Sequence, residues 1–135
     1  MILADTSAWV EFDRATGGPA DVRMSELISD GSHLSVTEPV MMEVFAGARD
    51  PGRERDLRRL LARFPLLGFD PAADFDGAVT VYRTCRRSGI TPRGLIDCMI
   101  AAIAWRHGAA VLAHDRDFAR VASVVGLELD PATLV

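Results

Sequence analysis

Met1-Ile-Leu-Ala-Asp5 is a short apolar run that ends on an acidic residue, and its pattern returns later in the chain. Ala110-Val-Leu-Ala113 is a second such run, followed closely by Asp115. In the sequence that separates these two runs, Gly and Pro residues mark off short apolar runs and amphipathic helical segments. Strands that alternate with helices in this way are typical of βαβ units with a parallel sheet. The sequence therefore predicts an α/β fold.

The predicted sheet has four to five short strands. They are expected at residues 1–5, 33–36, 66–69 and 110–113, with a fifth at 127–129. Several helices are predicted from a capping residue that stands just before a proline, and these starts are Thr37-Glu38-Pro39, Asp50-Pro51, Asp70-Pro71 and Thr91-Pro92. The predicted helices cover residues 7–14, 19–29, 38–47, 51–64, 71–88, 92–107 and 116–125.

Length and composition indicate one soluble domain that spans residues 1–135. Hydrophobic residues make up 49% and charged residues 25%, which is the ordinary balance of a globular protein. The longest uncharged apolar run, Cys98 to Trp105, is well short of the roughly 20 residues that a membrane span needs. The N-terminus lacks the basic region of a signal peptide, and the cysteines have no zinc-site spacing. We therefore expect a cytoplasmic protein.

The basic residues exclude some kinds of chemistry. All 15 are arginine, so Schiff-base catalysis and a P-loop phosphate clamp are both ruled out. The net charge of −4 argues against a nucleic-acid partner, unless the acidic excess lies in a site where bound divalent cations reverse the local sign.

Four acidic residues interrupt otherwise apolar stretches: Asp5, Glu43, Asp97 and Asp115, with Asp117 close behind the last. A buried, unpaired carboxylate either costs on the order of several kcal/mol or takes up a proton, so such a set calls for a cation. Asp5 and Asp115 follow predicted strands, while Asp97 falls in the second turn of its predicted helix. Since strand carboxyl ends and helix N-termini share one edge of a βαβ sheet, we expect the acids to converge there.

Carboxylates from separate segments, without Cys or His, favour Mg²⁺ or Mn²⁺ over zinc. A metal held in this way could activate water for hydrolysis of a phosphodiester. The hydroxyls of Thr6 and Ser7 are placed to orient a carboxylate or a water, or simply to cap the first helix. Acids at strand ends also serve receiver domains and phosphatases, so the residues alone leave these alternatives open.

Four stretches together resemble the successive motifs of PIN domains, and more narrowly of the VapC toxins of bacterial VapBC toxin–antitoxin pairs. They are Ile2-Leu-Ala-Asp-Thr-Ser-Ala-Trp-Val10, Glu38-Pro-Val-Met-Met-Glu-Val-Phe-Ala-Gly47, Ile96-Asp-Cys-Met-Ile-Ala-Ala-Ile-Ala104 and His114-Asp-Arg-Asp-Phe118. The resemblance is collinear and covers essentially the whole chain. It implies a single PIN domain with a short parallel sheet flanked by helices in three α/β/α layers.

The resemblance also implies an activity, a cofactor and partners. VapC-like proteins are Mg²⁺- or Mn²⁺-dependent endoribonucleases, and their ligand set maps onto Asp5, Glu43, Asp97 and Asp115, with Asp117 as a supporting acid. A structured RNA, such as a tRNA or an rRNA, is the expected substrate. The expected assembly is a homodimer, or a heterotetramer or larger complex with a VapB-like antitoxin. The chain departs from the family at Ala113, where a Thr or Ser is common.

Arginines are the residues that could attract RNA to an acidic protein. Arg93, one helical turn before Asp97, is the first candidate, and the others are Arg86, Arg87 and Arg116. Such residues can equally form a solvated helix face. Two further interpretations stay open: a non-catalytic PIN-like module that binds RNA or protein, and a receiver-like phosphoacceptor domain, which the absence of lysine disfavours.

Overall fold

Three short parallel strands form the centre of the structure, a computed structural model that describes residues 1–31 and 33–135. Within that part of the chain the strands are β1 (Ile2–Ala4), β2 (Leu34–Ser35) and β3 (Ala110–Leu112). The helices are α1 (Thr6–Asp13), α2 (Pro19–Asp30), α3 (Glu38–Ala46), α4 (Pro51–Leu61), α5 (Pro71–Arg87), α6 (Leu95–His107) and α7 (Arg116–Val125). The α/β class that the sequence predicts is confirmed.

β1 lies in the middle of the sheet, and the strand order is β2-β1-β3. Ile2 is level with Leu34 on one side and with Ala110 on the other. Leu3 and Ala4 of β1 are both fully buried, although successive side chains of a strand point to opposite faces. Both faces of the sheet are therefore covered, as in a three-layer arrangement.

The prediction of four to five strands was too high. Residues 66–69 and 127–129 each contribute one isolated parallel bridge, Leu66 with Val36 and Leu129 with Val111. After the first bridge the backbone N–H of Phe69 donates to the side chain of Glu38 at 2.8 Å, which leads the chain away from the sheet and into α5. Both segments therefore border the sheet without extending it.

The helices form two packed groups. α1 packs on α2 and α3, and α3 packs on α4, while α5, α6 and α7 pack on one another. Contacts between α3 and α6 join the groups. No helix in the described ranges is both long and apolar enough to cross a membrane.

α6 begins three residues later than its predicted start at Pro92. Gly94, in an extended conformation, is the N-cap residue, and the helix starts at Leu95. α5 ends before Gly89, whose φ of +82° is a left-handed conformation that favours glycine. Residues 88–94 are therefore a connection outside both helices, and Asp97 lies in the first turn of α6 instead of the second.

Candidate active site

Asp5 lies at the carboxyl end of the central strand and caps the helix that follows. Its Oδ2 accepts hydrogen bonds from the backbone N–H of Ser7 at 3.2 Å and from the Ser7 hydroxyl at 2.6 Å. The same hydroxyl accepts a bond from the backbone N–H of His114 at 2.8 Å. Ser7 therefore joins the end of β1 to the segment that follows β3.

The second oxygen of Asp5 is unsatisfied. Oδ1 is buried and has no hydrogen-bond partner in the described structure, and the whole residue is only 3% exposed. Burial raises the pKa of Asp5 above its usual value of 3.8, and the charge of Asp115 adds to this effect, while hydrogen bonds from Ser7 and Thr6 oppose it. An acceptor left in this state is costly, and a cation would satisfy it.

Asp97 lies where the charges of the other acids converge. Burial raises its pKa from 3.8 to about 6, and the negative charges of Asp5, Asp115 and Glu43 contribute, against a lowering by Arg93. The four acids that the sequence analysis singled out are thus within electrostatic reach of one another. The structure brings them to one edge of the sheet from β1, α3, α6 and the start of α7.

Glu43 reaches this group from α3 and is held by the neighbouring helix. The hydroxyl of Thr6, the first residue of α1, donates to Glu43 Oε1 at 2.6 Å. The bond spans 37 positions in sequence, so it fixes the position of α3 against α1 at the site. The other carboxylate oxygen of Glu43 makes no hydrogen bond to the described residues.

Asp115 and Asp117 are both bound to Arg93. One nitrogen of the guanidinium, Nη2, contacts Asp115 Oδ2 closely and lies 3.6 Å from Asp97 Oδ2. The other, Nη1, lies 3.2 Å from Asp117 Oδ2. Arg120 contacts the second oxygen of Asp117, also at 3.2 Å. A single arginine thus bridges three of the acids.

The donor set of the site suits a hard divalent cation, since all the candidate ligands are carboxylate oxygens and one of them is an orphaned buried oxygen. Among residues 1–31 and 33–135, no group of three or more acidic, His or Cys side chains is already arranged around one metal position. Asp97 and Asp115 are instead turned toward Arg93, and Glu43 toward Thr6. Metal binding therefore stays a prediction that requires side-chain rotation.

The remaining candidate arginines lie in two places. Arg86 and Arg87 line a cavity of about 390 Å³ at the end of α5 together with Tyr82 and Arg83. Neither forms an ion pair with a described residue, and both stand just before the connection that carries Arg93. Arg116 lines a separate hollow beside α7. Within the described ranges, the side chains of Arg86, Arg87 and Arg116 form no ion pair with a candidate acid, so Arg93 is the candidate arginine that contacts them.

Thr37, near the site, differs from what the sequence indicates. Thr37 makes no side-chain capping hydrogen bond to α3. Its hydroxyl is buried and has no hydrogen-bond partner among residues 1–31 and 33–135. If the pairing of Leu3 with Ser35 is extended by two residues, Thr37 is level with Asp5. Its position two residues after β2 is the signal that would have drawn attention to it. Trp9 follows Asp5 on α1, but its side chain is 1% exposed and packs in the core against Phe64.

Comparisons with known proteins agree on one family. Residues 2–124 match the family described as PIN domain. Ribonuclease VapC11 of Mycobacterium tuberculosis is 44% identical over 129 residues, covering 95% of this chain and 96% of that protein, and a VapC ribonuclease of Mycobacterium bovis matches to the same extent.

Solved structures show the same fold. The DNA-bound VapBC structure from Salmonella typhimurium aligns with a TM-score of 0.72 and 22% identity over 96% of both chains. FitAcB from Neisseria gonorrhoeae aligns with a TM-score of 0.75 and 19% identity over 98% of both chains. The strand and helix arrangement described above is therefore shared with both of these structures at low sequence identity.

Proposed function

The chain belongs to the PIN-domain family, and we propose that it is the ribonuclease toxin of a VapBC-type toxin–antitoxin pair, hydrolysing phosphodiester bonds in structured RNA with the help of a divalent cation. The VapC ribonucleases that are 44% identical to it over nearly the full chain support this activity. The observation that carries the proposal is the buried Asp5, with one unpartnered oxygen, in the midst of Glu43, Asp97 and Asp115.

Asp5, Asp97 and Asp115 would hold Mg²⁺ or Mn²⁺, with Glu43 as a further ligand or as the group that positions water. The cation supplies charge neutralisation and a more acidic water. Ser7 fixes the orientation of Asp5 by bonds to Oδ2, which leave Oδ1 without a hydrogen-bond partner among the described residues. Thr6 holds one oxygen of Glu43 and leaves the other to accept a hydrogen bond from water.

An acidic protein must attract RNA locally, since its net charge is −4. Arg86 and Arg87 have no carboxylate partner among the described residues, so their guanidiniums are available for phosphate. Arg93 is the candidate closest to the acids, and Arg116 is retained as a more remote one. A tRNA or rRNA stem-loop is the proposed substrate, because folded RNA exposes unpaired bases and closely spaced phosphates.

The partners follow from the relatives. A solved structure that shares the fold is the VapBC complex from Salmonella typhimurium, which supports a VapB-like antitoxin as the neutralising partner. We propose that the toxin acts in the cytoplasm as a homodimer, and that it joins the antitoxin in a heterotetramer or larger complex. Expression of the chain alone should arrest growth, and co-expression of the antitoxin gene beside it should relieve the arrest. Growth unaffected by a well-expressed, folded chain would contradict the toxin role.

The activity is tested by incubating the purified protein with tRNA and rRNA fragments in Mg²⁺, in Mn²⁺ and in EDTA. Cleavage is expected with either metal and not with EDTA. Asp5→Asn and Asp97→Asn should each abolish it while the circular dichroism spectrum stays unchanged. Asp76→Asn, at an exposed acid on α5, is the matched control and should cleave normally.

Undiminished cleavage by both site variants would overturn the assignment of these acids. RNA binding without any cleavage by the wild-type protein would instead favour the non-catalytic PIN-like module.

A further inference from the structure

We propose that Arg93 is a resident cation of the acidic site, which neutralises Asp115 and Asp117 in the metal-free protein and must withdraw before a divalent cation binds. This inference rests on the proposed function, because it takes the same acids to be metal ligands. Arg93 and the metal would compete for the same carboxylate oxygens.

The hydrogen bonds of Asp115 make the competition direct. Its Oδ1 accepts from the backbone N–H groups of Asp117 at 2.9 Å and Phe118 at 3.5 Å, and these bonds cap α7. Oδ2 is therefore the oxygen of Asp115 that remains for a cation, and it is the oxygen that Arg93 contacts. A metal at Asp115 and the guanidinium in its present position cannot share that oxygen without bringing two positive charges together.

Asp117 repeats the arrangement. Arg120 contacts its Oδ1, and Arg93 contacts its Oδ2. Asp97 Oδ2 is 3.6 Å from the same guanidinium. Arg93 thus contacts Oδ2 of both Asp115 and Asp117 and lies near Asp97 of α6. Its positive charge reduces the repulsion among these three carboxylates.

Arg93 is placed where it can move. It lies in the connection between α5 and α6, one residue before the N-cap of α6, and its side chain is 61% exposed. Its withdrawal would break no helical hydrogen bond and would leave the guanidinium at the rim of the site. A phosphate of bound RNA could then take the place of the carboxylates, so metal and RNA would each favour the binding of the other.

Isothermal titration of Mn²⁺ into metal-free protein tests the proposal. Arg93→Gln removes the competing charge, so the affinity for Mn²⁺ should rise by about three- to tenfold, as expected for the loss of a few partly exposed ion-pair contacts. Arg120→Gln is the matched control. Arg120 carries the same charge and contacts Asp117 but not Asp115, so its removal should change the affinity for Mn²⁺ by less than about twofold. Arg93→Lys, which cannot bridge two carboxylates with a planar fork, should give an intermediate affinity.

A second readout does not depend on titration heats. The increase in thermal unfolding temperature on replacing EDTA with Mn²⁺ should be larger for Arg93→Gln than for the wild type, because the metal-free variant lacks a neutralising cation. Equal affinities and equal temperature shifts in the two proteins would overturn the role of Arg93 and leave the metal site standing. An equal rise in Arg120→Gln would show a general charge effect and would also overturn it. Absence of Mn²⁺ binding in every protein would overturn the proposed metal site together with this inference.

Discussion

The pKa of Asp97 is set by its surroundings in the folded protein. Burial, followed by the charges of Asp5, Asp115 and Glu43, raises its pKa from 3.8 to about 6, although Arg93 acts in the opposite direction. The folded protein therefore holds this proton more tightly than the unfolded chain does. The stabilisation from protonated Asp97 is present below about pH 4 and is lost as the pH rises through about 6.

Asp97→Asn should remove the loss of stability that the wild type undergoes as Asp97 deprotonates near pH 6. A change in pKa from 3.8 to about 6 corresponds to at most about 3 kcal/mol, so the stability of the variant relative to wild type should increase by up to that amount between pH 4 and pH 8. Urea unfolding in EDTA at several pH values measures the difference. Asp76→Asn serves as the exposed control, and its stability curve should run parallel to that of the wild type. A parallel curve for Asp97→Asn would contradict the raised pKa.

At this scale the sequence predicted which acids meet and that the hydroxyls of Thr6 and Ser7 could orient carboxylates, but it did not predict the bridging contacts of Arg93. Asp5 and Asp115 follow apolar strands, and that position is visible in the sequence. The contact of Arg93 with Asp115 spans 22 positions and depends on how α6 and α7 pack, which no local pattern encodes. Trp9 shows a second limit of local patterns. An aromatic residue next to a candidate site in sequence has the same local pattern whether its side chain faces RNA or the core, and only the fold shows that Trp9 is buried.

At the scale of elements, Asp115 both begins a helix and belongs to the candidate site. Its Oδ1 caps α7, and its Oδ2 faces Arg93. Asn is an equally good N-cap residue, whereas Ala is not, so the two substitutions separate the roles.

Asp115→Asn should abolish RNA cleavage and change the free energy of unfolding by less than about 0.5 kcal/mol through the cap itself. Asp115→Ala should also abolish cleavage but should cost about 1 kcal/mol more than the Asn variant, because α7 loses its side-chain cap. Cleavage assays and urea unfolding on the same preparations give both quantities. Equal stability of the two variants would show that the cap contributes little, and cleavage by Asp115→Asn would remove Asp115 from the catalytic set.

The element boundaries show what local sequence signals can and cannot predict. α5 begins at Pro71, as the capping residue before proline indicates, and α7 spans the predicted residues 116–125. Pro92 carries the same signal without starting a helix, because the extended Gly94 delays α6. The segments at Leu66 and Leu129 have strand-like composition, but each pairs at one residue only, since pairing depends on where the chain turns afterwards.

At the scale of the whole molecule, an ion pair between the buried Asp74 and the partly exposed Arg106 holds α5, α6 and the chain before α5 together. Asp74 on α5 is 1% exposed, and Arg106 on α6 donates to both of its carboxylate oxygens, at 2.9 and 2.7 Å. The same guanidinium donates to the carbonyl of Gly68 at 2.7 Å, and the backbone N–H of Asp70 donates to Asp74 at 2.7 Å. Because the residues come from three separate segments, sequence patterns did not indicate this junction.

Arg106→Gln should therefore destabilise the protein by about 2 to 4 kcal/mol, because it leaves the buried carboxylate of Asp74 without its charged partner. Glu54→Gln, which breaks the exposed pair of Glu54 and Arg58 on α4, should cost less than about 1 kcal/mol and is the matched control. Burial alone would raise the pKa of Asp74, but the bonds from Arg106 and Asp70 outweigh it and lower the pKa below 3.8.

The contribution of this pair should accordingly be full above about pH 4 and disappear as the pH falls through the lowered pKa. Urea unfolding of wild type and Arg106→Gln from pH 7 to pH 2.5 should show the difference in stability shrinking only at the acid end. RNA cleavage by the folded variant should remain at the wild-type rate, since Arg106 contacts none of the acids at the candidate site. A difference in stability that is independent of pH would mean that Arg106 acts through packing of its side-chain stem and not through the charge of Asp74.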